Sequence, residues 1–338
     1  MGGARDPRRS NTAISGLVLA PACCSLLPFP DRQSWPLAYS VGDVEIVTIS
    51  LLPYLSILRP QQWTKNLLVF AALLFAAQMH HPDQRVRALR VFVAFCLASS
   101  AVYIFNDFLD RKSDRAHPIK CQRPIAAGQV SPAVASALAV ISLGLGSVLG
   151  WQSAPGVQGC LLGYLLLQAA YALYLKHQVI LDVMAIAAGF VLRAVAGAYA
   201  IDVVISQWLL ICTILLSLFL ALSKRRSEML ASRNASDHRA VLGEYTRPLL
   251  DQMIAVVAAG TILSYILYTY SDQTMHKFPS HLMPLTIPFV LYGIFRYLYL
   301  IYRRTEGSEP ELLMVKDLPL LFDIALWAAT VAAIVSMS

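Results

Sequence analysis

Charged residues are scarce in this chain. Asp, Glu, Lys and Arg together make up 14% of its 338 residues, whereas about 25% is usual in soluble domains. Hydrophobic residues account for 57%, and the mean hydropathy is +0.59. So little charge excludes an ordinary soluble globular protein, because a water-exposed surface needs polar side chains. The composition predicts an all-α integral membrane protein.

Cysteine pairs with metal-binding spacing are also missing. The six cysteines show no CxxC pattern and no Cys/His spacing of a zinc site, so we interpret them as small apolar residues. A Gly/Ser-rich linker and a second soluble domain are absent as well. We therefore predict that residues 51–338 form one helical bundle.

Long apolar segments predict how often this bundle crosses the bilayer, since about 17–25 apolar residues span it as a helix. Nine segments qualify, the first of them short. They are approximately residues 66–79, 88–108, 133–150, 157–175, 180–200, 207–223, 250–270, 284–302 and 318–337.

Residues 1–50 differ from the rest of the chain. They combine Arg5, Arg8 and Arg9 with a short apolar patch and four prolines between Pro21 and Pro36. Basic residues before an apolar run are the outline of a signal peptide. The prolines favour instead an N-terminal extension, which is either a disordered tail or the result of a start codon assigned too far upstream.

Basic residues are distributed unevenly between the predicted loops. With the N-terminus inside, fifteen Lys and Arg residues fall in inside loops and four in outside loops. Positive charge concentrates on the cytoplasmic side of membrane proteins. This orientation places the N-terminus and the loop after residue 108 in the cytoplasm.

Four polar residues end the second apolar segment, in the stretch FNDFLDRKSD. On a helix, Asn106, Asp110, Asp114 and Asp107 fall at roughly 0°, 40°, 80° and 100°, on one face. Three carboxylates this close repel each other unless cations lie between them. Oxygen ligands with open positions suit Mg²⁺ bound to a phosphate ester. The pattern predicts a magnesium-diphosphate site at the membrane edge, with a solvated acidic loop as the alternative.

Basic residues follow these carboxylates within about ten positions, namely Arg115, Lys120 and Arg123. Basic groups bind phosphate oxygens while carboxylates hold the metal, so the mixture supports a phosphate ligand. His117, in the same loop, is interpreted as a polar loop residue.

Two further groups of residues are expected near this site. Tyr174, Lys176 and Asp182 lie between the fourth and fifth spans, on the same predicted side of the membrane. Interfacial snorkelling of Lys176 is the alternative. Arg193 lies inside the fifth span, where a charge usually faces a pocket or a partner. We expect a phosphate or an aspartate of the first cluster to be that partner, and purely structural pairing is the alternative.

Two basic segments have ambiguous roles. RPQQWTKN, with Lys65 and Asn66, precedes the first span, and SKRRSE, with Lys224, ends the sixth. Either segment serves as a membrane anchor or as part of a clamp for an anionic substrate.

NDFLD followed by RKSD resembles the NDxxDxxxD motif of the UbiA-type polytopic prenyltransferase superfamily. The wider segments RPQQWTKNLLVFAALLFA, YALYLKHQVILDVMAIAAGFVLRAVAGA and LALSKRRSEM are similar to its decaprenyl-phosphate phosphoribosyltransferase subfamily. The resemblance covers roughly residues 55–335. It implies a nine-transmembrane-helix catalytic bundle over residues 51–338.

The resemblance also implies roles for residues. Asp107, Asp110 and Asp114 are expected to be catalytic and to hold Mg²⁺. The residues expected to bind substrate are Lys65, Asn66, Asn106, Arg115, Lys120, Arg123, Tyr174, Lys176, Asp182, Arg193 and Lys224. One position departs from the subfamily, because Cys121 stands where a basic residue is usual. That departure removes a positive charge near the expected phosphate loop.

The implied reaction is transfer of 5-phosphoribose from 5-phosphoribosyl 1-diphosphate to a polyprenyl phosphate, at the cytoplasmic face of a bacterial inner membrane. No nucleic acid is expected as a partner, and a homo-oligomer is left open. One alternative is an aromatic prenyltransferase of quinone or haem biosynthesis that uses a polyprenyl diphosphate. Another is a transporter or lipid-binding membrane protein, although no paired broken helices or clear repeat are evident.

Overall fold

A computed structural model describes residues 52–75, 81–116, 120–231, 243–278, 281–303 and 316–337. The extension predicted for residues 1–50 and His117 lie outside these ranges. The helices are α1 Leu52–Ile57, α2 Ala71–Phe75, α3 Pro82–Leu109, α4 Arg111–Ala116, α5 Pro132–Trp151, α6 Pro155–Leu173, α7 Leu181–Ala200, α8 Gln207–Ala231, α9 Arg247–Thr269, α10 Asp272–Lys277, α11 Ile287–Arg303 and α12 Leu318–Ser336. A 3₁₀ segment, Pro60–Phe70, leads directly into α2.

Eight helical segments in the described ranges are long and apolar enough to cross a membrane. They are α3, α5, α6, α7, α8, α9, the run 283–303 that includes α11, and α12. The first predicted span, residues 66–79, overlaps instead the end of the 3₁₀ segment and α2, and its residues 76–79 lie outside the described ranges. Together these segments agree with the expected all-α bundle of nine membrane segments.

Proline and capping residues account for several helix starts. Pro82, Pro132 and Pro155 each open a helix, where the missing N–H leaves no hydrogen bond unmade. Thr246 and Asp317 cap the starts of α9 and α12 by accepting backbone N–H groups. Most predicted span limits lie within about three residues of the observed ones, but α3 begins six residues before the predicted 88 and α8 ends eight residues after the predicted 223.

Helix α7 lies at the centre of the bundle. It packs against α6, α8, α3 and the 3₁₀ segment. At Gly197 the backbone of α7 approaches the Val69 carbonyl so closely that an added Cβ would overlap it. This contact brings the segment carrying Lys65 and Asn66 against α7, beside the helix that carries the aspartate motif.

Candidate functional site

The aspartate motif lies where α3 gives way to α4. Asp110 separates the two helices, with φ −84° and ψ 3°. The backbone nevertheless keeps helical hydrogen bonds across the joint, from Asp110 N to Asn106 O at 2.9 Å and from Asp114 N to Asp110 O at 2.8 Å. The chain therefore bends at Asp110 without losing its helical path.

The four polar residues, which were expected to share one face, differ in their exposure to solvent. Asp107 and Asp114 are buried, whereas the Asp110 side chain is 45% exposed. Asn106 is half-buried at the last turn of α3. The motif thus forms an inner carboxylate pair with an outer carboxylate at its rim.

Arg123 joins the two inner carboxylates. Its Nη1 donates to Asp107 Oδ1 at 2.9 Å and to Asp114 Oδ2 at 2.7 Å. One cationic nitrogen thereby lies between both acids and relieves their mutual repulsion. The structure thus brings Arg123 of this loop to the carboxylates, while its binding of phosphate stays a prediction.

Arg59 lies at the carboxylates too, although the sequence analysis placed it only in the ambiguous segment RPQQWTKN and not among the expected site residues. Its Nη2 donates to Asp107 Oδ1 at 2.5 Å, and its guanidinium stacks over the Tyr103 ring at 5.2 Å. Its backbone is left-handed, with φ 52° and ψ 58°, directly before Pro60. That conformation is unfavourable for a residue before proline, and strain of this kind concentrates at functional sites. An arginine next to a proline at the start of an apolar run was the available signal.

Lys176 brings the second predicted group of residues to the first. Its Nζ lies 3.8 Å from Asp110 Oδ1. Tyr174, two residues earlier, is 61% exposed. The loop between α6 and α7 therefore approaches the outer carboxylate, as the sequence analysis expected.

Asp182 lies in a different environment from the other carboxylates. It is completely buried and accepts hydrogen bonds from Arg225 Nε at 2.5 Å and from Tyr245 Oη at 2.8 Å. Arg225 also donates to Glu228 at 2.6 Å and to Tyr171 at 3.1 Å. Both carboxylate oxygens of Asp182 are thus engaged by protein groups.

Arg193 has different partners from those expected. It donates to Asn66 Oδ1 at 2.6 Å, to the Gly189 carbonyl at 2.7 Å and to Tyr164 Oη at 3.1 Å. None of these partners is an aspartate of the motif, so that part of the prediction is wrong. The position of Arg193 on α7 explains the difference. Arg193 lies three helical turns from Asp182, which is at the start of α7, and its neighbour is the buried amide of Asn66.

The remaining predicted residues surround the same end of the bundle. Arg115 donates to the Ala126 carbonyl at 3.0 Å and so ties α4 to the following loop. The side chains of Lys65, Lys120 and Lys224 are partly exposed. Cys121, the departure from the expected pattern, is also partly exposed.

The donor set fits a divalent cation only in part. In the described part of the chain, no three His, Cys, Asp or Glu side chains converge closely enough to hold a metal. Asp107 and Asp114 nevertheless share one cationic nitrogen, and their oxygen donors are the kind that Mg²⁺ prefers. The inner pair thus suits a cation, with arginine occupying that position here.

Residues 66–316 match the model of the UbiA prenyltransferase family. The decaprenyl-phosphate phosphoribosyltransferase of Mycolicibacterium smegmatis is 35% identical over 292 residues, which cover 83% of this chain and 91% of that protein. The protein of the same name from Corynebacterium glutamicum is 36% identical over 247 residues, covering 70% of this chain and 74% of that one.

A solved structure has the same fold. The UbiA homolog from Archaeoglobus fulgidus bound to DMAPP and Mg²⁺ superposes with a TM-score of 0.62 and covers 85% of this chain and 100% of that one. Its sequence identity is 18%, so this likeness concerns the fold alone.

Proposed function

Since this chain belongs to the UbiA prenyltransferase family, we propose that it transfers 5-phosphoribose from 5-phosphoribosyl 1-diphosphate to a polyprenyl phosphate. The observation that carries the proposal is the inner carboxylate pair bridged by Arg123, with Arg59 and Lys176 at its rim. Acidic and basic groups at one site suit a metal-bridged diphosphate. The relatives with about 35% identity over most of this chain bear the name of that activity.

The aspartates of the motif are proposed to bind Mg²⁺ and the diphosphate of the donor, supported by Asn106. Magnesium held by Asp107, Asp110 and Asp114 would neutralise charge on the departing pyrophosphate. For a cation to bind the inner pair, Arg123 and Arg59 must leave it. Both are partly exposed, so their guanidinium groups are free to turn toward phosphate oxygens, which arginine binds in bidentate fashion.

The bond changes in the proposed reaction are simple. The bond between ribose C1 and the diphosphate oxygen breaks, and a phosphate oxygen of the lipid bonds to C1. The ribose ring becomes oxocarbenium-like, as in other glycosyl transfers. A phosphate monoester is largely ionised at neutral pH, so the acceptor needs no strong general base. Lys176, Arg59 and Arg123 are proposed to orient the donor by its phosphates.

Other basic residues are proposed to complete the substrate site. They are Lys65, Arg115, Lys120, Arg193 and Lys224, with Tyr174 and Asn66 as polar contributors. Among them Arg193 is buried beside Asn66 and Tyr164, so its proposed contribution is to the deep part of the site. The face of the membrane on which the site lies is proposed to be cytoplasmic, where a water-soluble donor is available.

A transfer assay tests the proposal. Membranes containing the protein are incubated with radiolabelled 5-phosphoribosyl 1-diphosphate, decaprenyl phosphate and Mg²⁺, and the lipid phase is counted. We expect label in the lipid, and loss of that label when EDTA is present. A parallel incubation supplies labelled polyprenyl diphosphate and an aromatic acceptor. Product only in the second incubation would replace the proposal with the aromatic prenyltransferase alternative.

A further inference from the structure

The loop that carries Lys176 ends in a strained turn. Ile180 has φ 69° and ψ −46°, and Leu181 N donates to Val179 O at 2.8 Å. These are the marks of a γ-turn with positive φ, which is rare and unfavourable. A β-branched residue in this conformation is strained and persists only where neighbouring groups hold it.

Tyr245 is the group that holds this turn. Ile180 N donates to Tyr245 Oη at 2.8 Å, and Tyr245 Oη donates to Asp182 Oδ1 at 2.8 Å. The tyrosine belongs to the segment just before α9, so it ties a distant part of the chain to the start of α7. Burial raises the pKa of the Tyr245 hydroxyl, so it remains a neutral donor at cellular pH.

The carboxylate that receives this hydroxyl is itself immobilised. Arg225 is 1% exposed and holds the second oxygen of Asp182. Tyr171, near the end of α6, accepts from the same arginine. Both ends of the loop that carries Lys176 are thereby fastened to one buried network.

We propose that Tyr245, acting with the Asp182–Arg225 pair, is a positioning residue that holds Lys176 beside Asp110 for contact with the diphosphate. This inference rests on the proposed function. It gives Asp182 a supporting role, because its oxygens already have partners. Tyr245 acts through the turn at Ile180 and makes no contact with the substrate.

Magnesium pyrophosphate is the probe for this inference, because its binding requires the diphosphate site and not the sugar. Calorimetry on the purified protein compares wild type with Tyr245→Phe, which removes only the hydroxyl. We expect about tenfold weaker binding. Hydrogen exchange at the Ile180 amide is expected to become at least about tenfold faster, since its acceptor is gone.

The matched control is Tyr265→Phe. The Tyr265 hydroxyl is also buried and bonded on two sides, to Thr286 at 2.8 Å and to Trp327 Nε1 at 2.9 Å, but it lies away from the loop. We expect it to change pyrophosphate affinity less than about twofold, whatever its effect on stability.

A double-mutant cycle separates positioning from general weakening. If Tyr245 acts through Lys176, Tyr245→Phe in a Lys176→Met background weakens binding no more than about twofold beyond Lys176→Met alone. Additive losses, or unchanged binding by Tyr245→Phe, would overturn the inference. If Tyr245→Phe does not fold, Tyr171→Phe, a milder change in the same network, takes its place. We expect a smaller loss of pyrophosphate affinity from Tyr171→Phe, and this loss must disappear in the Lys176→Met background.

Failure of the proposed function is distinguishable from failure of this inference. If the wild-type protein binds magnesium pyrophosphate but transfers no phosphoribose, 5-phosphoribosyl 1-diphosphate is not the donor. The double-mutant cycle still tests the role of Tyr245 in that case. A wild-type protein that does not bind magnesium pyrophosphate at all would overturn both.

Discussion

Two arginine–aspartate clusters lie near the same end of the bundle, and they differ in access to water. In the first, Arg123 pairs with Asp107 and Asp114, and Arg59 pairs with Asp107; the side chains of the two arginines are 30% and 25% exposed, respectively. In the second, Arg225 holds Asp182 with both groups closed off from solvent. The residue types are the same in both clusters, while the freedom of the arginines is different.

Exposure determines what each cluster is able to do. The carboxylates of the first cluster are buried, whereas its two arginine side chains are in contact with water. An arginine that stays hydrated can exchange a carboxylate for a phosphate at lower cost than an enclosed one. Breaking a buried pair leaves an uncompensated charge and costs about 3–5 kcal/mol. The first cluster therefore suits ligand exchange, and the second suits fixed support.

The largest expected effect comes from removing a charge in the first cluster. Asp107→Asn should reduce phosphoribosyl transfer by roughly 10³-fold, while the melting temperature changes little because Arg59 and Arg123 remain hydrated. The assay is label incorporation into lipid, alongside thermal unfolding in detergent. Asp83→Asn, at the other end of α3, is the control and should keep full activity. Full activity in Asp107→Asn would contradict its assigned role.

The opposite pattern is expected in the buried cluster. Asp182→Asn should destabilise the protein by about 3–5 kcal/mol, because Arg225 loses a buried partner. Chemical unfolding of the purified protein measures this change. Asp317→Asn is the matched control, since Arg296 pairs with Asp317 and is 28% exposed, and it should cost distinctly less. Equal losses would show that exposure does not distinguish these pairs.

A smaller effect is expected from the bridging arginine. Arg123→Gln should weaken magnesium pyrophosphate binding by roughly tenfold, since one charged phosphate contact is lost. Arg87→Gln, exposed near the start of α3, provides the control of equal charge. Tighter binding in Arg123→Gln would instead mean that the competition of Arg123 with the cation outweighs its contact with phosphate.

A change in ionic strength should have the smallest effect of these four tests, and it should still distinguish the two clusters. Raising ionic strength from about 0.05 to 0.5 M shortens the range of exposed charge interactions, so pyrophosphate affinity should fall a few-fold. The pair formed by Asp182 and Arg225 should be insensitive, and the unfolding free energy should stay nearly constant. A parallel loss of stability would indicate that water reaches the second cluster.

Much of the fold could be predicted from the sequence because a membrane-spanning helix is recognised by its local composition. Eight of the nine predicted segments coincide with helices long enough to span a bilayer, and prolines mark several of their starts. The first segment differs because its helical run begins earlier, at Pro60, in 3₁₀ geometry. The aspartate motif and the approach of Lys176 were also anticipated, from short spacings and a shared side of the membrane.

Hydrogen-bond partners that lie far apart in the chain could not be predicted from the sequence. Arg59 lies 48 residues from Asp107, Arg225 lies 43 from Asp182, and Asn66 lies 127 from Arg193. No local spacing predicts such pairs, because they depend on which helix faces meet. For Arg193 the expected acidic partner was therefore replaced by an amide, a carbonyl and a phenol.

Residue order alone was enough to predict a membrane bundle with an Asn and three aspartates at the end of one helix. Hydropathy and helical period depend on residues close together in the chain, so both can be read from the sequence. The packing of the helices was needed to show which carboxylates share a partly exposed arginine and which one is enclosed with Arg225. That choice depends on burial, because access to water sets whether an ion pair exchanges its partner or holds it.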